Sequence, residues 1–316
     1  MKFILTAILI TNLIACTKTG ISDSEKRNRS ILTFLYLQNR RDVNFNRVRY
    51  LNGRFYAVGT SGQIYSSTDG ESWTKAPVGN LRSFSDIGFK DNRFLAVGNF
   101  IGYTSTDGNN WTDRSSSFQK SYTGVTNFVY QIVYGTNNYN YSTDGTNFNN
   151  ESNFPSSIRG MYGHASSSTR LVLVGADEDF KATILTSGFF GSLLSFSSGG
   201  VTGVSSSLSL YDVAYNNLRF VAVGESGTIL YSNDGLTWVK TTSPVSETLS
   251  GIATNAGKFV AVSGSSVITS NDGITWTKAQ SLSNLASVTY GLDKYVAVGR
   301  NGTIFTSTDG NTWVSK

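Results

Sequence analysis

Side chains able to do chemistry are scarce in this 316-residue sequence. It has one cysteine, Cys16, and one histidine, His164, which excludes an internal disulfide, a cysteine-based zinc site and any mechanism that needs two imidazoles. A lone histidine is a weak metal ligand, and the sequence carries no phosphate-binding loop. We therefore expect no cofactor and no metal, and the 21 acidic residues become the main candidates for a site.

Many of these acids fall in a recurring string, Ser-Thr/Asn-Asp-Gly-x-x-Trp/Phe, which we call the Asp-Gly turn. Aspartate can accept backbone N–H groups in such a turn, glycine supplies the positive φ, and the aromatic ring can pack beneath it and cover the gap to the neighbouring repeat. We predict that these residues are structural rather than catalytic. They are Asp69, Asp107, Asp144, Asp234, Asp272 and Asp309, with Trp73, Trp111, Phe148, Trp238, Trp276 and Trp313.

Two groups of charged residues remain as candidate sites. Aligning the repeats places Asp177, Glu178, Asp179 and Glu225 in loops on the face opposite the Asp-Gly turns, where Arg300 occupies the equivalent loop of the last repeat. These residues predict either a binding rim or merely a solvated loop in the least regular repeat.

The second group lies on the first strand of each repeat. Arg47, Asp86 and Asp212 share one aligned position there, with Arg159 nearby. They could line a polar mouth for a small ligand, but ion pairs between neighbouring repeats near the axis are the favoured interpretation.

The elements that must position these residues form a repeat. The aspartates of successive Asp-Gly turns are 38, 37, 90, 38 and 37 residues apart, and the long step contains a degenerate copy over residues 170–188. Seven units of several short strands predict an all-β fold, a seven-bladed β-propeller of four-stranded antiparallel blades. The predicted blades span about 43–79, 80–117, 118–152, 153–200, 201–243, 244–280 and 281–316.

The strings resemble the Asp box, or BNR repeat, of sialidases and sortilin-type receptors. The additional Phe-x-Ala-Val-Gly pattern is most similar to propellers of the photosystem II assembly-factor type, over residues 43–316. This resemblance implies a fold and leaves function open. A sialidase would need an Arg-Ile-Pro string, which is absent because the only prolines are Pro77, Pro155 and Pro244. We therefore expect no enzymatic activity.

The N-terminus predicts export. Residues 1–15 combine Lys2, a short apolar run and a small residue before Cys16, as a secretory signal does. Leu13-Ile14-Ala15-Cys16 resembles the lipobox of bacterial lipoproteins, which implies cleavage before Cys16 and acylation of its thiol; an ordinary signal peptide is the alternative. Residues 16–42 would be a basic tether, in which 31–37 could form a strand or a helical turn.

The net charge of +5 belongs mostly to this tether and the first strand. Residues 17–54 hold nine basic residues against three acidic ones, whereas residues 55–316 hold 16 against 18. The distribution favours a membrane surface, where anionic headgroups attract such a segment, and speaks against nucleic acid.

The sequence thus predicts a monomeric lipoprotein of the bacterial cell envelope, at the outer membrane or cell surface. Its propeller would be a binding or scaffold module for a protein or a glycan. A factor that assembles membrane protein complexes is the first alternative, and a glycoside hydrolase or sialidase-like enzyme is the second.

If Cys16 is acylated, Cys16→Ser should move the full-length protein from the detergent phase to the aqueous phase in a detergent partition experiment, because the acyl chains anchor it. Membrane retention of the variant would contradict the lipoprotein prediction.

Overall fold

The computed structural model describes residues 43–79, 81–118, 120–127, 131–135, 139–142, 147–151, 158–188, 197–198, 200–202, 208–255 and 257–316. The signal peptide, Cys16, the tether and Asp144 lie outside these residues, so their predictions stay predictions.

Seven sheets confirm the predicted all-β propeller, and in each blade four antiparallel strands follow one another in chain order. Blades 1 and 2 contain β1 (Phe45–Leu51), β2 (Arg54–Gly59), β3 (Ile64–Ser67), β4 (Thr74–Lys75), β5 (Phe84–Lys90), β6 (Arg93–Gly98), β7 (Ile101–Ser105) and β8 (Thr112–Asp113). Blades 3 and 4 contain β9 (Tyr122–Asn127), β10 (Gln131–Gly135), β11 (Tyr139–Ser142), β12 (Asn149–Glu151), β13 (Ile158–Ser166), β14 (Arg170–Asp177), β15 (Ala182–Gly188) and β16 (Ser197–Ser198).

Blade 5 contains β17 (Gly200–Thr202), β18 (Leu210–Tyr215), β19 (Phe220–Gly224), β20 (Ile229–Ser232) and β21 (Thr237–Thr241). Blades 6 and 7 contain β22 (Leu249–Thr254), β23 (Phe259–Ser263), β24 (Ser266–Ser270), β25 (Thr277–Ser281), β26 (Leu285–Gly291), β27 (Lys294–Gly299), β28 (Ile304–Ser307) and β29 (Val314–Ser315). In the described part of the chain, three short 3-10 helices are present at Ser115–Ser117, Glu225–Gly227 and Arg300–Gly302. Blade 5 departs from the predicted count, because β17 pairs parallel to β21 as a fifth strand.

The second strand forms the core of each blade, and in blades 1, 2, 5 and 6 it carries the Phe-x-Ala-Val pattern. In β2, β6 and β27 every residue after the first is buried. Neighbouring blades cover both faces of such a strand, so it is continuously apolar rather than alternating. The core strands of neighbouring blades pack against each other. For example, Tyr56 of blade 1 lies against Phe94 of blade 2 with ring centroids 4.8 Å apart.

In the five Asp-Gly turns whose aspartate the structure describes, the aspartate and the serine two residues before it accept the same backbone N–H groups. In blade 1, Asp69 Oδ1 accepts the N–H groups of Glu71 and Ser72 at 2.7 and 2.8 Å, and Ser67 Oγ accepts the Gly70 N–H at 2.8 Å. The N–H groups of Ser72 and Glu71 hold the pKa of Asp69 down to about 2, because they stabilise its charged form. Trp73 Nε1 donates to the Gly70 carbonyl at 3.2 Å, which folds the indole back under its own turn.

The cation that opens the second strand bridges neighbouring blades. Lys294 Nζ donates to the Asp69 carbonyl at 2.9 Å, and Lys258 Nζ donates to the Asp309 carbonyl at 2.8 Å. Arg219 reaches the Asp272 carbonyl in the same way. The basic residue of the repeat thus binds the Asp-Gly turn of the next blade.

The ring closes between blades 7 and 1, and over residues 43–316, where the structure describes them, no strand is shared between these two blades. The Gly302 N–H donates to the Val43 carbonyl at 2.6 Å, as the Gly62 N–H does to the Arg82 carbonyl at 2.7 Å between blades 1 and 2. Val296 and Val298 of blade 7 pack with Phe55 and Ala57 of blade 1. The closing interface therefore uses the contacts that join other blades.

Replacing the aspartate of one turn should destabilise the propeller. Asp234 Oδ1 accepts the N–H groups of Leu236 and Thr237 at 2.8 and 2.9 Å, and Asp234→Ala leaves them without this acceptor. We expect a loss of about 1–3 kcal/mol in the free energy of unfolding, measured by urea denaturation. The exposed Asp179→Ala is the control and should change stability by less than about 0.5 kcal/mol. Equal stability of both variants would contradict the structural role of Asp234.

Candidate functional site: the axial mouth

The innermost strand of each blade carries one residue at a common position beside the axis. In β1, β5, β18, β22 and β26 a β-bulge precedes this position, and the residue pairs with a valine of the second strand. The register matches the sequence alignment and adds two glycines from blades 3 and 4. We call these seven residues the axial ring: Arg47, Asp86, Gly124, Gly163, Asp212, Gly251 and Ser287.

The charged members of the axial ring form a buried ion network. Arg47 Nε lies 3.9 Å from Asp86 Oδ1, and Arg47 Nη1 lies 3.2 Å from Asp212 Oδ2 across the axis. Its Nη2 also donates to the Tyr162 carbonyl of blade 4 at 2.8 Å. Arg49, two residues along the same strand face, pairs with both oxygens of Asp86 at 3.0 and 2.9 Å. Two arginines thus neutralise two aspartates and close the axis.

Side-chain oxygens of the ring bind the backbone N–H that follows the ring position. Asp86 accepts the N–H of Ile87 at 2.9 Å and that of Val125 in blade 3 at 3.3 Å. Asp212 accepts the N–H of Val213 in its own blade at 3.1 Å and that of Ile252 in blade 6 at 3.2 Å. Ser287 Oγ accepts the Val48 N–H of blade 1 at 3.2 Å.

The electrostatics keep this network charged but balanced. Burial by itself would raise the pKa of Asp86, but Arg49 and Arg47 outweigh it and lower the pKa to about 2. Burial, together with repulsion from Arg49, lowers the pKa of His164 to about 3, so this imidazole is neutral at physiological pH. His164 Nδ1 shares a hydrogen bond of 2.9 Å with Tyr134 Oη, and a side chain at Gly124 would collide with that tyrosine.

The prediction for Arg159 is wrong in its placement. The alignment places Arg159 near the axial position as one of the ion-pair candidates, but it is exposed and its guanidinium lies 3.7 Å from the ring centroid of Phe180. It stands four residues before the ring position Gly163, at the rim rather than the axis. Arg47 takes the place beside Asp212 because one long side chain can cross the narrow axis. Arg49, which sequence reasoning missed, could have been found from the two-residue period that puts it on the same face as Arg47.

Above this closed floor lies a cavity of about 320 Å³. Its wall contains the residue before each axial-ring position, one from every blade, and its floor is Arg47. We call this cavity the mouth. The seven residues of this set are Asn46, Ser85, Thr123, Tyr162, Tyr211, Ser250 and Ala286, and Thr248 completes the wall.

The predicted acidic rim divides between the mouth wall and an exposed loop. Glu225 supports the wall, because its carboxylate accepts hydrogen bonds from the Tyr211 hydroxyl at 2.7 Å and from the Ser209 N–H at 3.1 Å. Burial and this hydrogen bond raise the pKa of Tyr211 to about 12. Asp177, Glu178 and Asp179 lie instead in the β14–β15 loop, where Asp177 Oδ1 accepts the Lys181 N–H at 2.8 Å and Asp179 pairs with Lys181 at 3.0 Å.

Arg300 occupies the corresponding loop of blade 7, where it is exposed and its N–H donates to the Asn284 carbonyl at 2.8 Å. Among the residues the structure describes, no group of three or more His, Cys, Asp or Glu could hold a metal ion. In that same part of the chain, no helix is long and apolar enough to cross a bilayer.

No protein-family model matches the sequence, and a search of curated proteins finds no match. Solved structures share the fold at low identity. YCF48 from Cyanidioschyzon merolae is similar with a TM-score of 0.63 and 15% identity, over 85% of this chain and 96% of that chain. A second structure, YCF48 bound to D1 peptide, has a TM-score of 0.62 and 15% sequence identity, over 83% of this chain and 91% of that chain.

The extracellular domain of the putative one-component system BT4673 from B. thetaiotaomicron has a TM-score of 0.66 and 10% identity, over 84% of this chain. This chain corresponds to 38% of that one. At such identities the likeness shows the seven-bladed propeller and nothing finer.

Removing one negative charge from the axis should lower the stability of the propeller. Asp86→Asn leaves Arg47 and Arg49 with Asp212 as their remaining ring carboxylate, and breaking a buried pair costs about 3–5 kcal/mol. We expect a correspondingly lower melting temperature by calorimetry. The double variant Arg49→Met/Asp86→Asn restores the charge balance and should recover part of the loss. A melting temperature of Asp86→Asn equal to wild type would contradict this role.

Proposed function

We propose that this protein is an exported, lipid-anchored propeller that binds a segment of another protein at the mouth and catalyses no reaction. The observation that carries the proposal is the wall of the mouth, which draws one residue from each blade around a hydrogen-bonded floor. A concave site with a few convergent polar groups is the usual form of a binding site.

The chemistry of the wall supports binding rather than catalysis. Its described residues offer hydroxyls, one amide and two tyrosines, and none is a carboxylate. Glycoside hydrolysis needs two carboxylates that flank the scissile bond. Arg47 is held by Asp212 and the Tyr162 carbonyl, so the floor is a fixed structural group.

Two comparisons support a protein ligand and an exported location. YCF48, which shares the fold, has been solved with D1 peptide bound, and BT4673 places a similar propeller in an extracellular domain. Lipid anchoring at Cys16 rests on the lipobox resemblance, which would hold the propeller at the membrane of the cell envelope. Assembly of membrane protein complexes is a narrower form of this proposal.

A glycan ligand is the second candidate, because Tyr162 and Tyr211 form an aromatic pair in the wall with centroids 5.6 Å apart. Such rings present apolar faces beside polar hydroxyls, as sugar-binding surfaces do. Binding of cell-wall or capsular polysaccharide, with no protein partner, would favour this candidate.

Site-specific photo-cross-linking in intact cells tests the mouth. A photoreactive amino acid at Ser250, in the wall, should capture a protein partner. The same photoreactive amino acid placed at Thr275, an exposed position in an Asp-Gly turn on the opposite face, should capture no partner. Ala286→Trp fills the mouth and should abolish capture from Ser250. Equal capture from both faces, or capture that survives Ala286→Trp, would contradict binding at the mouth.

A further inference from the structure

Three neighbouring blades place a cation at one equivalent position on the edge of the mouth. The position lies four residues before the axial ring, where the chain enters the innermost strand; we call it the lip position. Blades 2, 3 and 4 have Arg82, Lys120 and Arg159 there, and all three are exposed. The other blades have Val43, Leu208, Glu247 and Ser283. The cations are therefore confined to one side of the mouth.

Exposed apolar side chains accompany these cations. Leu81 is 87% exposed, Phe100 50% and Phe180 46%. Phe100 has φ of +55°, a left-handed conformation that is unfavourable for a bulky residue. The equivalent loops hold Ser61, Ser226 and Asn301 at φ of 53–55°. Phe100 thus occupies a place where small polar residues suffice for the fold, which points to a use outside folding.

Hydrogen bonds hold the cations and aromatic residues in one surface. The Phe100 N–H donates to the Lys120 carbonyl at 3.1 Å, and Arg82 Nη1 donates to the Phe100 carbonyl at 2.6 Å. At the other end, Arg159 stacks over Phe180. We call the surface formed by Leu81, Arg82, Phe100, Lys120, Arg159 and Phe180 the basic lip. The contacts above position Arg82 against Phe100 at one end and Arg159 against Phe180 at the other.

The charges beside the mouth bear on what kind of partner fits. The lip positions and the loops between second and third strands together carry five basic and five acidic side chains, so these positions have no net positive charge that would attract an anionic bilayer. They are Arg82, Lys120, Arg159, Lys181 and Arg300 against Asp177, Glu178, Asp179, Glu225 and Glu247. A ligand that uses the basic lip must be narrow enough to avoid Glu225 and Glu247 of blades 5 and 6. In blade 4 it meets Asp177, Glu178 and Asp179, which precede Phe180 in the same loop.

We propose that the basic lip binds an extended polypeptide segment in which carboxylates alternate with aromatic or aliphatic side chains. The carboxylates pair with Arg82, Lys120 and Arg159, and the apolar side chains pack on Phe100, Leu81 and Phe180. This inference rests on the proposed function and names the chemistry of its partner.

The test is a titration of the full-length protein in an uncharged detergent, followed by fluorescence anisotropy. The probe is a labelled synthetic peptide in which glutamates alternate with phenylalanine and leucine. It should bind, and its affinity should fall as salt rises, because screening weakens exposed ion pairs. The triple variant Arg82→Gln/Lys120→Gln/Arg159→Gln should bind about tenfold or more weakly. Arg300→Gln, a cation of the same face in blade 7, should bind as wild type does.

Phe100→Ser separates binding from folding. Serine occupies the same conformation in blades 1 and 5, so the melting temperature should stay the same or rise while peptide affinity falls. No binding of the probe, equal binding by the triple variant, or binding of phosphatidylglycerol vesicles instead of the peptide would overturn the inference. If the probe fails these tests while Ala286→Trp still abolishes cross-linking from Ser250, the proposed function stands and only the basic lip falls.

Discussion

The architecture depends on one backbone constraint at the axis. The innermost strand of each blade is the edge of its sheet, so the N–H that follows the axial-ring position faces the axis and not the second strand. A buried N–H without a partner is costly. The side chains of Asp86, Asp212 and Ser287 bind these groups across blade boundaries. Once two carboxylates serve this purpose, their charge must be balanced, and Arg47 and Arg49 do so. The buried salt bridges thus follow from a hydrogen-bonding requirement of the strands.

This closed axis also explains why a candidate site lies above it. Asp86 and both arginines are committed to one another and to backbone groups, so the side chains that remain near the axis are those of the mouth wall. The ring glycines have a related role. A side chain at Gly163 would collide with the backbone of Asp212, so blades 4 and 5 can approach closely only without one.

The sequence was sufficient for the blades because the repeat encodes them locally. Asp69 and Gly70 form a turn through hydrogen bonds between residues at most three positions apart. The continuous apolar run of the Phe-x-Ala-Val strands predicts that they are buried. The contacts at the axis were harder to predict, because they join side chains of different blades that lie far apart in the sequence. Arg159 was misplaced because the innermost strand of blade 4 is irregular and alignment alone could not fix its register. The Tyr134–His164 pair could not be inferred, because it depends on a glycine in one blade admitting a ring toward the next.

The seam between blades 7 and 1 has a consequence for how such a ring could be rearranged. Its contacts, from the Lys294–Asp69 carbonyl bond to the Ser287–Val48 bond, are the same in kind as those at other boundaries. None of the described strands is exchanged across it. The order of blades along the chain is therefore uncoupled from the geometry of the circle. A circularly permuted polypeptide that started at another blade would meet an equivalent joint, so whole blades are the natural units for duplication and recombination of this fold.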